Sequence, residues 1–237
     1  MKNKLWVFGD SFSDSRGIHC YNEFLKRKQI FWSELLAEKY ELELVNCAMG
    51  GTGNESIENH LVKNYKKFKE NDIVIVGFSS FSRITIPRKD VYDVQHFVLP
   101  KVVNEELPGS HLCFGEISKR DYNTYLQLRI EIQETNLFKD IFFSRMGMFH
   151  DLLKNKVSKL IYWSWTMDLN IDANILINYV PKHYIFNMSG PEKMTTISDD
   201  VPELNDRHWS ENGHRIFFER INKFIENFDN TEYIKYI

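Results

Sequence analysis

Short apolar segments alternate with stretches that carry apolar residues at helical spacing, and this alternation limits the chain to a few folds. Compact apolar runs, each typical of a strand, occupy residues 4–8, 42–46, 72–77, 159–165 and 184–186. Helical patterns occupy residues 31–40, 54–69, 121–154 and 211–228, and Ser210 is placed to cap the last of them. The alternation predicts an α/β fold whose parallel sheet, of about five strands, is covered by helices on both faces.

The length and composition fit a single domain spanning residues 1–237. The chain is 43% hydrophobic and 14% aromatic, which is enough for a sizeable core and argues against a disordered protein. Residues 84–119 interrupt the alternation with prolines, mixed charges and weak periodicity. We interpret this segment as an insertion or lid, and its use as a partner surface or dimer contact stays open, as does the oligomeric state.

Charge and cysteine content exclude several classes of protein. A net charge of -3 creates no large positive field, so we do not expect nucleic acid as the main partner. The three cysteines are widely spaced and form no metal-binding or redox pair, which fits a reducing cytoplasm. We expect no signal peptide, no membrane-spanning segment and a cytoplasmic location. Neither metal-ligand spacing nor a Walker-type phosphate loop is present, so we expect no metal and no cofactor.

Ser11 directly follows the first predicted strand, in the turn Gly9-Asp10-Ser11. Active sites of parallel sheets lie at the carboxyl ends of the strands, where backbone N–H groups can stabilise negative charge. A serine nucleophile needs a base, and His208, just before the last helix, is the best candidate. Asp206 lies two residues earlier and can orient the imidazole. Each motif alone is more often a simple turn or surface loop, but their combination favours a nucleophile with its base.

Three segments together resemble the blocks of the GDSL/SGNH hydrolase superfamily. Residues 9–14 are similar to the first block, residues 46–51 to the second, and residues 206–214, which begin Asp-x-His, to the last. The blocks follow the order of the family and span nearly the whole chain. The resemblance implies a flavodoxin-like, three-layer α/β/α sandwich.

The resemblance also implies a role for each matching residue. Ser11 would attack an acyl carbonyl, His208 would take its proton, and Asp206 would hold the imidazole in the required tautomer. The backbone N–H groups of Ser11 and Gly51 would form the oxyanion hole. Asp10 is expected to brace the turn rather than to react.

The third block departs from the family pattern. The family has an asparagine after the third strand as an oxyanion donor, whereas this chain has Ser79 at that position. A missing donor costs about 3–4 kcal/mol unless another group compensates. Asn54 is a candidate replacement, although it could instead cap the next helix. Arg83 is a candidate for binding an anionic substrate group, with a structural ion pair as the alternative.

Trp209 is a second departure, since many family members have proline after the histidine. Its ring could stack on a sugar as part of the substrate site, or it could form a hydrophobic staple for the last helix. These two interpretations stay open at this point.

The sequence therefore predicts a serine esterase or deacylase that acts on a small-molecule or carbohydrate ester, with an O-acetyl group as one candidate. The mechanism would pass through an acyl-enzyme on Ser11. An O-acyltransferase on the same scaffold is a close alternative, because the two differ only in how water is excluded. A non-catalytic binding protein that retains the fold is another alternative, favoured by the missing asparagine. A nucleotide-binding flavodoxin-like protein ranks last.

Overall fold

A computed structural model describes residues 2–79, 81, 83–86, 95–98, 136–165, 175–187 and 194–229 of the chain. The strands are β1 (Lys4–Phe8), β2 (Glu43–Asn46), β3 (Ile73–Phe78), β4 (Arg83–Ile86), β5 (Gln95–Val98) and β6 (Lys159–Ser164). The α-helices are α1 (His19–Leu25), α2 (Trp32–Lys39), α3 (Asn54–Asn64), α4 (Asn136–Leu153), α5 (Ile197–Asp200) and α6 (Glu211–Glu226). Short 3-10 helices occupy Tyr65–Lys67, Lys182–Tyr184 and Pro202–Leu204.

The main sheet has four parallel strands in the order β2-β1-β3-β6. The central strands are in register through Val7, which pairs with Ile75, and Ile75 in turn pairs with Ile161. All six residues of β3 are buried, as is typical of a strand inside a parallel sheet. Because the strands run in one direction, the turns that follow β1, β2 and β3 meet at one edge of the sheet.

The sheet buries apolar side chains on both faces, since successive residues of a strand point to opposite sides. One face packs against helices α3 and α4, with a core that includes Trp6, Phe8, Val74, Val76, Leu61, Phe142 and Met146. The opposite face packs against α2 and α6, with a core that includes Leu5, Val7, Ile75, Trp32, Leu36, Phe217 and Ile221. The chain is thus an α/β protein with helices on both faces of the sheet, as the alternation predicts.

In the part of the chain that the structure describes, the main sheet has four strands rather than the expected five. Residues 184–186 do not form a strand: Lys182–Tyr184 is a 3-10 helix, and only Ile185 makes a parallel bridge, to Tyr162. The amide of Tyr184 donates to the Pro181 carbonyl at 3.0 Å, so the backbone is already engaged in the 3-10 turn when it reaches the sheet edge. The apolar run at 184–186 marks the correct place beside β6, but the turn shortens the pairing to one residue.

The expected insertion at residues 84–119 and the first half of the expected helix at 121–154 lie mostly outside the described residues. Strands β4 and β5 pair antiparallel as a separate two-stranded sheet, with Ile84 opposite Phe97. Helix α4 begins at Asn136 in the described part and ends at Leu153, close to the expected end. In the ranges given above, no helix combines the length and the apolar character needed to cross a bilayer.

Candidate active site

Ser11 lies in a tight turn that begins as soon as β1 ends. The amides of Ser13 and Asp14 donate to the Asp10 carbonyl at 3.0 and 2.9 Å, so the chain turns back at Ser11. Glycine is needed at position 9 because a Cβ on Gly9 would lie 2.7 Å from the Ser13 Oγ. The turn leaves Ser11 half-buried at the carboxyl edge of the sheet.

The Asp10 carboxylate braces this turn from inside the protein. Asp10 is 2% exposed, and one of its oxygens accepts a hydrogen bond from the Phe12 amide at 3.1 Å. Its other oxygen accepts from the indole N–H of Trp165. Because both oxygens already accept from the surrounding structure, this carboxylate has the bracing position that the sequence suggests for Asp10.

Ser11, His208 and Asp206 form a continuous chain of hydrogen bonds. The Ser11 Oγ lies 2.8 Å from the His208 Nε2, and the His208 Nδ1 lies 2.6 Å from the Asp206 Oδ1. The same Asp206 oxygen accepts from the His208 backbone amide at 2.8 Å. An ionised Asp206 fixes the proton on Nδ1, which leaves the Nε2 lone pair free to accept the Ser11 proton. The structure thus brings together three residues that are up to 197 positions apart.

The loop that carries His208 is held by the first two residues of α5. The Ile197 amide donates to the His208 carbonyl at 2.8 Å. The amide and the hydroxyl of Ser198 both donate to the Asp206 carbonyl, at 2.9 and 2.8 Å. These bonds restrain the backbone on both sides of the imidazole, so its approach to Ser11 does not depend on the side-chain contact alone.

An aromatic wall lies beside the imidazole. The Phe12 ring centroid is 5.3 Å from that of His208 and 4.6 Å from that of Trp165. Phe12 is 9% exposed, so its ring shields one side of the imidazole from water. The side chains of His208 and Asp206 are 33% and 23% exposed. The site is therefore open to solvent on the side away from Phe12.

The turn after β2 brings glycine backbone next to Ser11. A Cβ added to Gly50 would lie 3.7 Å from the Ser11 Cβ, and Gly51 has a φ of +77°, which favours glycine. A Cβ added to Gly51 would meet nothing within 4 Å, so this residue borders open space. Neither the Ser11 nor the Gly51 amide donates a hydrogen bond within the described part of the chain. Among the described residues, no acceptor competes for these two N–H groups, which leaves them available to an oxyanion.

Asn54 and Ser79 bind each other instead of facing the open space. The Ser79 amide donates to the Asn54 Oδ1 at 2.7 Å, and the Asn54 Nδ2 donates back to the Ser79 carbonyl at 2.9 Å. Asn54 is the first residue of α3, and the N-cap position belongs to Gly53. The Ser79 hydroxyl is fully buried and has no partner among the described residues. Asn54 therefore neither caps its helix nor points a free amide at Ser11; it holds the end of β3.

Trp209 is not available as a sugar platform, because it is 5% exposed and belongs to the core. Its ring lies 5.0 Å from that of Phe217 and 5.6 Å from that of His214. Trp209 precedes the N-cap Ser210, and His214 is the fourth residue of α6, which is the spacing of a hydrophobic staple. Trp209 is buried because its ring packs against the apolar face of α6. The side chain of Arg83, the other candidate for substrate binding, lies outside the described residues.

Comparison of the sequence with protein-family models and with curated proteins finds no match. The resemblance to GDSL/SGNH hydrolases therefore rests on the motif residues themselves. The chemistry of the site rests on the positions of the hydroxyl, imidazole, carboxylate and amide groups given above.

His214 is a second imidazole close to the site, and it has a different character. It is 2% exposed, and burial, together with the nearby His208, lowers its pKa to about 3. His214 thus stays neutral and packs as an aromatic ring, with Phe31 at 4.2 Å between centroids.

Within the described ranges, no group of three or more His, Cys, Asp and Glu side chains could hold a metal ion.

Asn46 is a site residue that the sequence reasoning missed. Its Nδ2 donates to the Ser13 carbonyl at 2.7 Å, and its Oδ1 accepts from the Ala48 amide at 2.9 Å. Asn46 thereby ties the end of β2 to the turn that holds Ser11. The available signal was a carboxamide at the end of a strand that adjoins β1, since such a side chain meets the neighbouring turn.

Proposed function

We propose that this chain is a serine esterase or deacylase that hydrolyses a small acyl ester through an acyl-enzyme. The observation that carries the proposal is the hydrogen-bonded chain from Ser11 through His208 to Asp206, at 2.8 and 2.6 Å. A serine hydroxyl gains nucleophilicity only when a base accepts its proton, and a carboxylate stabilises the imidazolium that results. Hydrogen bonds of this length place the base within reach of the proton that it would take.

In the first half of the reaction, the Ser11 Oγ attacks the acyl carbon while its proton passes to the His208 Nε2. The carbonyl oxygen gains a negative charge, which the amides of Ser11 and Gly51 are available to bind. The bond to the leaving alcohol then breaks, and the alcohol oxygen takes the proton back from His208. The acyl group is left on Ser11 as an ester.

In the second half, water replaces the alcohol. His208 takes a proton from the water, whose oxygen attacks the acyl carbon, and the proton then returns to the Ser11 Oγ as the acid leaves. The partial exposure of the His208 and Asp206 side chains, 33% and 23%, gives water access to this step. That access favours hydrolysis over transfer of the acyl group to another alcohol, which would require water to be kept out.

We further propose that the chain is a divergent member of the GDSL/SGNH superfamily with a flavodoxin-like sandwich. The strand order β2-β1-β3-β6, with helices on both faces, supports this proposal, as does a serine at the carboxyl end of β1. The carbohydrate part of the expected substrate loses the support of Trp209, because this tryptophan is buried. The proposed substrate is thus a small acyl ester without a specified alcohol.

Hydrolysis of para-nitrophenyl acetate tests the proposal. We expect the wild type to release one rapid equivalent of para-nitrophenolate, as the acyl-enzyme forms, followed by steady turnover. Ser11→Ala should lower kcat by roughly a thousandfold or more, because removal of the nucleophile leaves only the amides and substrate binding to act. Ser144→Ala, a change of the same kind on α4, should behave like the wild type. Equal rates for the wild type and Ser11→Ala would show that this hydroxyl is not the nucleophile.

A further inference from the structure

The turn that holds Ser11 and the loop after β2 are fastened together at several points. The Met49 amide donates to the Gly9 carbonyl at 3.0 Å, close to the end of β1. Next along the loop, the Gly50 amide donates to a carboxylate oxygen of Asp14 at 2.9 Å. Asp14 is thus the side chain through which the Ser11 turn contacts the glycine that precedes Gly51.

The Asp14 carboxylate is itself held in place. Its side chain is 13% exposed, and Arg16 donates to it from the backbone amide at 3.1 Å and from Nε at 2.8 and 3.0 Å. Burial alone would raise the pKa of Asp14, but the hydrogen bonds from Arg16 and from the Gly50 amide hold it below its usual value. Asp14 therefore stays ionised and remains an acceptor at neutral pH.

The conformation of Gly51 follows from this anchor. Gly50 is close to both partners, since a Cβ on it would lie 3.6 Å from the Asp14 Oδ2 and 3.7 Å from the Ser11 Cβ. The turn closes with a hydrogen bond from the Thr52 amide to the Met49 carbonyl at 3.3 Å. Both bonds hold the peptide that joins Met49 to Gly50, one through its N–H and the other through its C=O. The Gly51 N–H belongs to the next peptide, so Asp14 acts on it through the anchored peptide that precedes it.

We infer that Asp14 is a positioning residue for the proposed reaction: by accepting the Gly50 N–H, it aims the Gly51 N–H at the oxyanion that forms on the ester bound to Ser11. The inference rests on the proposed function. Asp14 does not touch the substrate in this account. Its effect passes through the backbone of the loop, and it should appear in the transition state rather than in the binding of the ester.

Steady-state kinetics of Asp14→Ala and Asp14→Asn on para-nitrophenyl acetate test the inference. We expect Asp14→Ala to lower kcat about ten- to a hundredfold with little change in KM, which is less than complete loss of a donor because Gly51 keeps its N–H. Asp14→Asn should recover part of the activity, since its carboxamide oxygen can still accept from Gly50, while its NH₂ replaces the oxygen that accepts from the Arg16 amide. The exposed Arg16 side chain is free to turn away from the new amide.

The rate on a thiono ester, compared with the rate on the oxygen ester, reports the alignment of the oxyanion hole. A loss of fold stability alone would not change this ratio. Sulfur accepts hydrogen bonds weakly, so a well-aligned oxyanion hole prefers the oxygen ester over its thiono analogue. That preference should shrink in Asp14→Ala and return in Asp14→Asn. Asp151→Ala is the matched control, because Asp151 is an exposed carboxylate on α4 that pairs with Lys154 at 2.6 Å. Thermal unfolding of each variant should show the folded state at the assay temperature.

The outcomes separate this inference from the function on which it rests. If the wild type is active and Asp14→Ala keeps its kcat and its preference for the oxygen ester, the positioning role is overturned and the proposed function stands. If Asp14→Asn is as impaired as Asp14→Ala, the hydrogen bond to Gly50 is not the cause and the inference also fails. If the wild type is no more active than Ser11→Ala, the proposed function fails and takes this inference with it.

Discussion

Asp206→Asn separates two roles that the carboxylate can have toward His208. In the structure, the Asp206 Oδ1 accepts both the Nδ1 proton, at 2.6 Å, and the His208 backbone amide, at 2.8 Å. No hydrogen bond reaches the Asp206 Oδ2 from any described residue. An asparagine can therefore place its oxygen at the Oδ1 position and turn its NH₂ toward solvent. The tautomer of His208 should survive this change, whereas the negative charge is lost.

The size of the effect follows from that charge. Two unit charges about 4 Å apart attract each other by about 4 kcal/mol near a protein surface, where the effective dielectric constant is about 20. The side chains of His208 and Asp206 are 33% and 23% exposed, and solvent therefore reduces this figure. A remaining loss of about 3 kcal/mol in transition-state stabilisation corresponds to a fall in kcat/KM of about a hundred- to two-hundredfold.

Hydrolysis of para-nitrophenyl acetate by the purified variant measures this fall, with Asp151→Asn on α4 as the matched control. We expect Asp206→Ala to lose more activity than Asp206→Asn, since it also removes the acceptor that orients the ring. A fall of less than about tenfold would show that the Asp206 charge contributes little to transition-state stabilisation. A fall of ten-thousandfold or more would refute the orientation proposed for the asparagine, because losses of about that size accompany the wrong tautomer.

Three further predictions concern stability. Trp209→Ala should lower the free energy of unfolding in urea by about 3–5 kcal/mol, because the ring is buried in the core, and Trp209→Phe should lose less. Asn54→Ala should cost about 2–3 kcal/mol in the same assay, because it leaves the buried amide and carbonyl of Ser79 without partners. Stability should also fall as the pH drops below about 6.5, where unfolded histidines take up protons, while burial keeps the pKa of His214 at about 3 in the folded state. His214 contributes a slope of up to about 1.4 kcal/mol per pH unit in that window, so urea unfolding of His214→Gln should show a flatter pH dependence.

Each of these predictions has a clear contrary result. A loss below about 1 kcal/mol for Trp209→Ala would mean that the tryptophan is not packed as a core residue. Equal stability of Asn54→Ala and the wild type would mean that the bonds to Ser79 do not hold the end of β3. An identical pH dependence in the wild type and His214→Gln would mean that this imidazole titrates alike in the folded and unfolded states.

The sequence predicts most of the sheet because the informative residues are local. The apolar runs at β1 and β3 sit inside the sheet and need no knowledge of distant partners. The alignment of Ser11, His208 and Asp206 could also be anticipated, since the strand-end turn and the loop before α6 belong at the same edge of a parallel sheet. The fifth strand could not, because a 3-10 turn after Pro181 uses backbone groups that the apolar pattern does not reveal.

The parts of the site that sequence reasoning did not give depend on which side chains meet after folding. Asn54 has the right chemistry for an oxyanion donor, but its amide is taken up by the backbone of Ser79 at the end of β3. Trp209 has the right shape for a sugar platform, yet α6 supplies an apolar face that buries it. Asp14 lies in the first motif, and its bond to Gly50 appears only when the loop after β2 is in place. Burial and pairing over long sequence separations decide all three.

Covalent labelling with a fluorophosphonate probe, followed by mass mapping of the peptides, shows directly whether Ser11 is an activated nucleophile. The probe reacts with a serine only when a base activates the hydroxyl and nearby donors stabilise the oxygen on phosphorus. We predict one adduct per chain, located on Ser11, absent in Ser11→Ala and formed more slowly in Asp206→Asn. The absence of an adduct on the folded wild type, or an adduct on a different serine that persists in Ser11→Ala, would contradict the assignment of Ser11 as the nucleophile.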